Sequence, residues 1–249
     1  MSAGTVLVLA LGLATPAART ERLLLRGEAQ ELHLYGARGG PVAVVASGDG
    51  GWIHLGPTVA ELLAGQGYFV VGFDSKHYLS SFTRGGTTLS VADVPGDFAA
   101  LVDYAAAGGA APPLLVGVSE GAGLVVLAGG DPALKARLLG VMALGLPRRC
   151  ELGWRFRDQV IYITKGVPNE PLFDSGDYVG KVAPLPLLAI HSTHDEFVPV
   201  PEIQAIMARA AAPHELWLVE ARDHSFSDTT AELDRKVREG LAWMKAQHR

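Results

Sequence analysis

Short apolar runs rich in β-branched residues alternate along this chain with segments of helical length. That alternation constrains the fold more than any other feature. "PVAVVAS" (41–47) reads as a strand, and "PTVAELLAGQG" after it as a helix that stops at Gly67. "YFVVGFD" (68–74) is a second strand, followed by a helix around "DFAALVDYAAA" and the strand "PLLVGV" (113–118). "EGAGLVVLAG" is helical in length. "LLGVMALG", "PLLAIHS" and "HELWLVE" supply three more strands, the last two flanking a helix at "PEIQAIMARAA". The chain closes on the helix "TAELDRKVREGLAWMKAQ". Strands that are apolar on both faces, with helices between them, require a mostly parallel central sheet covered by helices on both faces, an α/β fold. No repeat or low-complexity linker divides the chain, so one domain is expected over 19–249.

Composition narrows the function classes. Apolar residues make up 49% of the 249 positions and charged residues 19%, a balance that builds a large core. A formal net charge of -5 and the lack of any long basic cluster argue against a nucleic-acid partner. One cysteine, Cys150, excludes an intrachain disulfide and a Cys-rich zinc site. Neither a phosphate-binding P-loop nor a dinucleotide fingerprint is present, so no cofactor is expected. "TVLVLALGLATPAA" (5–18) is too short to span a bilayer, which takes about 20 apolar residues. Residues 1–18 read either as a secretory signal, cut after Ala17 or Ala18, or as an apolar first strand. The first reading places the protein in the periplasm or outside the cell, the second in the cytoplasm.

The chemistry centres on "VGVSEGAG" (116–123). Ser119 falls where a strand gives way to a helix, between Gly117 and Gly121. This G-x-S-x-G pattern sets a serine on a sharp turn, with its hydroxyl projecting and a helix N-terminus beneath it. The pattern alone is weak, but an acid and a histidine further along the chain, in that order, strengthen it. Asp195 ends the strand "PLLAIHSTHD" and His224 follows the last strand in "EARDHSF". Serine, acid and histidine, each beyond the carboxyl end of a strand, are the parts of a Ser-Asp-His triad. Imidazole takes the serine proton and returns it to the leaving group, and Asp195 holds the ring in the needed tautomer. Glu196, Asp223 and Asp228 are weaker choices for the acid. His191 and His194 lack a further ligand motif, so no metal site is expected.

A second oxyanion donor should come from "SGDGGW" (47–52), whose glycines leave backbone N–H groups free to turn inward. The expected oxyanion hole is the N–H of Asp49 or Gly50 together with that of Glu120. The stretch 148–184 is too long for a plain connection. With Trp154, Phe156, Tyr162, Phe173 and Tyr178 it reads either as a small cap-like insertion or as a surface excursion packed by its own aromatics.

"SGDGGW", "GYFVVGFDSKHYL", "LLVGVSEGAG" and "LGLPRRCELGWRFRD" together resemble the bacterial VirJ/AcvB family of α/β-hydrolases, from about Pro41 to the C-terminal helix. The resemblance implies a periplasmic enzyme that hydrolyses lysyl-phosphatidylglycerol, with Ser119 as nucleophile, His224 as the histidine and Asp195 in the segment of the acid. Val118 replaces the tyrosine usual in the family's elbow, Glu120 follows the nucleophile, and "ARDHSFSD" replaces a glycine-rich segment with two histidines. An aminoacyl phospholipid carries ammonium groups beside its ester. Asp49, Trp52, Asp74 and Glu120 are therefore candidate substrate-binding residues. Asp49 bracing its own loop, and Glu120 as an ordinary helix-start acid, are the competing roles. The function expected is hydrolysis of an aminoacyl-phospholipid ester. The alternatives are a general carboxylesterase of dienelactone-hydrolase type acting on small soluble esters, and a non-catalytic secreted binding protein.

Overall fold

The computed structural model describes residues 19–107, 111–155 and 170–247. The signal-like segment, and Phe156 and Tyr162 of the excursion, lie outside the described residues. The strands are β1 (Arg19–Leu25), β2 (Glu28–Tyr35), β3 (Val42–Ala46), β4 (Phe69–Phe73), β5 (Leu114–Val118), β6 (Gly140–Leu144), β7 (Arg149–Glu151), β8 (Leu172–Asp174), β9 (Leu187–Ser192) and β10 (His214–Val219). The main sheet has the order β1-β2-β4-β3-β5-β6-β9-β10. From β4 to β10 all neighbours are parallel, while β2 pairs antiparallel with both β1 and β4. β7 and β8 form a separate antiparallel pair.

The helices are α1 (Leu55–Gly65), α2 (Ser75–Ser81), α3 (Asp93–Ala106), α4 (Glu120–Gly129), α5 (Pro132–Lys135), α6 (Val200–Met207) and α7 (Thr230–Gln247). The sheet divides two cores, and the period of 2 along each strand is visible in them. Val42, Val44 and Ala46 of β3 join Phe98 and Leu101 of α3, Leu124 of α4 and Ile203 of α6. Ala43 and Val45 of the same strand join Val59 and Leu63 of α1 and Val237 and Leu241 of α7. Every residue of β3, β4, β5, β6 and β9 is buried. Each fully buried Val, Leu or Ile contributes about 1.5–3 kcal/mol against leaving it exposed, so sandwiching these strands between helix layers dominates the fold's stability.

The hairpin β1–β2 is not among the strands expected from the sequence. It turns through Arg26 (φ 47°) and Gly27 (φ 89°), the left-handed pair of a two-residue hairpin turn. Arg26 also pairs with buried Asp97 of α3 at 2.8 Å, and Asp97 accepts from Tyr78 at 2.6 Å, which ties the turn to the body of the protein. In the excursion, the hairpin β7–β8 and two 3-10 turns (Ser175–Asp177 and Val179–Lys181) account for the described part. Phe173 there is buried and meets Tyr178 edge-on at 5.6 Å.

The parallel strands all end at one edge. The loop 47–54, the turn at Ser119, Gly145, the turn 193–199 and the loop 220–229 therefore gather there. In open α/β sheets this is where ligands bind.

Candidate active site

Ser119 sits between the last residue of β5 and the first of α4, with φ 52° and ψ -119°. A residue with a Cβ pays about 1–3 kcal/mol for such a conformation, so the surroundings must enforce it. They do so by close backbone packing. A Cβ at Gly117 would overlap the carbonyl of Gly121, and one at Gly121 would overlap the carbonyls of Ala46 and Ser47 at the end of β3. Only glycines admit this approach. The N–H of Ser119 donates to Leu144 O at 2.8 Å, and its carbonyl accepts from Ala122 N at 2.8 Å.

Asp195 is buried in the turn after β9. Its Oδ1 accepts from the N–H groups of Phe197 (2.9 Å) and Val198 (2.8 Å), and its Oδ2 accepts from His224 Nδ1 at 2.6 Å. Burial opposes the charge on Asp195, but the imidazole and the two backbone donors outweigh it and hold the carboxyl below the usual aspartate range. The other acids near His224 are turned elsewhere. Glu196 accepts from the backbone N–H of His224 (2.8 Å), Asp223 from Ser225 N and Ser227 N, and Asp228 from Arg222 N.

The ring of His224 lies against Gly145, where a Cβ would come within 2.5 Å of Cε1. Gly145 follows Leu144, the residue whose carbonyl holds Ser119, so serine and imidazole lean on the same strand end. His224 Nε2 is buried and has no hydrogen-bond partner among the described residues. The bond from the Ser119 hydroxyl is thus not formed here. Catalytic hydrogen bonds are often loose until substrate tightens them.

"SGDGGW" meets the serine at Gly48. A Cβ at Gly48 would lie 3.2 Å from Ser119 Cβ. The loop is tied down from below. Ser47 Oγ accepts from Ser75 N (3.1 Å), while Asp74 accepts from Trp52 N (3.2 Å) and His77 N (2.9 Å), capping α2 at the same time. The N–H groups of Asp49 and Gly50, at the loop's tip, donate to nothing among the described residues. The N–H of Glu120, first in α4, lies outside the helical ladder. The N–H groups expected to hold the oxyanion are therefore uncommitted among the described residues. The brace is Asp74 rather than Asp49, whose carboxylate takes no backbone N–H of its own loop.

The model of the family described as bacterial virulence protein (VirJ) matches residues 40–159. The chain is 30% identical over 166 residues to UPF0284 protein glr4139 of Gloeobacter violaceus, covering 59% of this chain and 43% of that protein. The chain thus spans less than half the length of this curated relative. In shape it is similar to Est1E from Butyrivibrio proteoclasticus, with a TM-score of 0.66 at 15% identity, covering 91% of this chain and 99% of that one. It is also similar to the Pyrococcus furiosus esterase Pf2001 (TM-score 0.67, 16% identity, 90% and 89% covered). A third likeness is to a membrane phospholipase A described as a bacterial virulence factor (TM-score 0.64, 13% identity, 92% and 87% covered). The fold is that of the α/β-hydrolases.

A cleft of about 500 Å³ opens beside the glycine loop, lined among others by Gly50, Trp52, Asp74, Lys76 and Trp154. Trp52 stacks on His33 (5.0 Å, 6° between planes) and donates through Nε1 to Tyr35 Oη at 3.1 Å, so its ring forms a fixed wall. Lys76 lies over Trp154 at 4.5 Å. Asp74 lines the cleft as well as bracing the loop. Glu120, expected among the substrate-binding carboxylates, is instead buried, with Oε1 accepting from Glu151 N at 2.6 Å.

The sequence marks His191 only as a poor metal ligand, yet it is fully buried behind the acid. Its Nε2 donates to Val198 O at 2.8 Å and lies 3.8 Å from Asp195 Oδ2. Burial lowers its pKa and keeps it neutral. Four positions separate His191 from Asp195, but no spacing rule points to a carbonyl three residues further on. Among the described residues no group of His, Cys, Asp and Glu is arranged to hold a metal ion, and no helix is long and apolar enough to cross a membrane.

Proposed function

We propose that this protein is a serine-dependent carboxylic ester hydrolase. The observation that carries the reading is the 2.6 Å bond from His224 to Asp195 beside a serine held at φ 52°. Ser119 Oγ attacks the ester carbonyl while His224 Nε2 takes its proton. The tetrahedral oxyanion is held by the N–H of Glu120 and by that of Asp49 or Gly50. The imidazolium returns the proton to the departing alkoxide, leaving an acyl-serine. Water, deprotonated by the same imidazole, then releases the acid and restores the hydroxyl. Asp195 keeps Nδ1 protonated throughout, so Nε2 is always the working nitrogen.

For the substrate we infer an aminoacyl phospholipid of the lysyl-phosphatidylglycerol type. The match of the VirJ family model to residues 40–159 supports this, as do Asp49 on the glycine loop and Asp74 in the cleft walled by Trp52. A charge-assisted hydrogen bond to an ammonium contributes about 1.5–3 kcal/mol, enough for about a tenfold preference or more. The apolar segment 5–18 supports a periplasmic site of action.

The test is a panel of esters: lysyl-phosphatidylglycerol in mixed micelles, its uncharged acyl counterpart, and soluble p-nitrophenyl esters. The reading predicts hydrolysis of all, with the aminoacyl lipid preferred. Equal rates on charged and neutral lipids would remove the head-group reading and leave a general carboxylesterase. No turnover of any ester would leave the binding-protein alternative.

A further inference from the structure

Glu120 follows Ser119 directly, and its side chain is 5% exposed. Oε1 accepts the N–H of Glu151, in β7, at 2.6 Å. α4 and β7 are packed without slack around this bond: a Cβ at Gly123 would overlap Cys150 Sγ. Two residues 31 positions apart are therefore hydrogen-bonded at the nucleophile turn through this carboxyl group.

The groups facing that carboxyl among the described residues are all acidic. Glu151, itself buried, faces it from β7, and Asp49 from the loop after β3. The Cys150 thiol lies in the same packing, kept protonated above all by burial. No lysine, arginine or histidine among the described residues acts on Glu120. A buried carboxylate without a cation is costly, and acids that share a site keep their protons. Burial above all, then Glu151 and Asp49, push the carboxyl well above the ordinary glutamate range, against the pull of the Glu151 N–H.

The location gives this a consequence for catalysis. The backbone N–H of Glu120 is one arm of the proposed oxyanion hole. Such a hole works because fixed dipoles point at a developing negative charge. A carboxylate on the same residue would oppose that charge and would also repel Glu151 and Asp49, straining the turn that aims the N–H.

We propose that Glu120 is a positioning residue that acts as an uncharged carboxyl, fastening the nucleophile turn to β7 while keeping negative charge out of the oxyanion site. The proposal rests on Ser119 being the nucleophile.

The experiment measures kcat and KM for a soluble p-nitrophenyl ester, from neutral to alkaline pH, over the range where circular dichroism shows the fold intact. Wild type, Glu120→Gln, Glu120→Ala and Ser119→Ala are compared. The amide of Glu120→Gln keeps an oxygen for the Glu151 N–H and cannot ionise. Glu120→Gln should keep the wild-type kcat at neutral pH, and any fall in wild-type kcat as the carboxyl ionises at higher pH should be absent from it. Glu120→Ala should lose about tenfold or more in kcat across the range, with KM little changed, because displacement near a reacting centre acts on kcat. A kcat for Glu120→Gln as low as that of Glu120→Ala would overturn the proposal, as would a neutral-pH kcat for Glu120→Gln well above that of wild type, the mark of a negative charge that the amide removes. The comparison of wild type with Glu120→Gln needs no folded alanine variant. If Ser119→Ala still hydrolyses the ester, the nucleophile reading has failed instead, and the two failures are told apart.

Discussion

Asp195 presents one oxygen to His224 Nδ1 at 2.6 Å and gives the other to two backbone N–H groups of its own turn. The carboxylate is therefore oriented before it orients the imidazole. Asparagine at 195 would offer an NH2 to Nδ1 and select the tautomer with its proton on Nε2, where it cannot accept from serine. Asp195→Asn should lower kcat by about 10⁴, with KM little changed. A near-silent Asp195→Asn beside a severe Glu196→Gln would move the acid to Glu196.

The same contacts set an acid limit to stability. The Asp195 carboxyl is held below its unfolded value, so its contribution is present above the ordinary aspartate range. It is lost as pH falls through the lowered folded value. Melting temperatures in acid should drop more steeply for wild type than for Asp195→Asn, which has no proton to gain. Parallel curves would show that the carboxylate adds nothing to folding.

His191 clamps the turn that holds the acid, through its 2.8 Å bond to Val198 O. His191→Ala should leave a buried carbonyl unpaired, at about 1–3 kcal/mol, and loosen Asp195. The downfield proton resonance of the His224–Asp195 bond should broaden or vanish, and kcat should fall. His191→Gln, with an N–H at similar reach, should restore part of both. A variant that melts earlier but keeps the resonance and kcat would confine His191 to the core.

Gly121 lies where any side chain meets the carbonyls of Ala46 and Ser47. Backbone atoms at the end of a buried strand cannot yield as a flexible side chain can. Gly121→Ala should lower the melting temperature and cut kcat by at least about a hundredfold, since a shift of about 1 Å at the nucleophile has that effect. Activity within about twofold of wild type would mean the turn is more pliant than its packing implies.

The strands β3 to β6, β9 and β10 were legible because each spells an apolar run, unbroken in all but the last two. Ser119, Asp195 and His224 were legible because the ends of such strands share one edge. β2 was not, since "EAQELHLY" alternates polar with apolar and becomes a strand only against β4. β7 and β8, at three residues each, are too short for any periodicity. The destination of Glu120 depends on Glu151, and the bracing of the glycine loop on Asp74, contacts that exist only after the chain has folded. A sequence pattern carries backbone layout well, but it does not say which of two acids near a loop will point inward.

Ser119 as the nucleophile is the central claim, and a fluorophosphonate probe reads it directly. The reagent forms a covalent bond only with a serine activated by a neighbouring base, and mass spectrometry of the digested protein locates the adduct. Wild type should carry one adduct, on the peptide containing Ser119. Ser119→Ala should carry none, and its ester hydrolysis should fall by several orders of magnitude. An adduct on another residue, or a Ser119→Ala protein that still turns over ester at a few per cent of the wild-type rate, would contradict it.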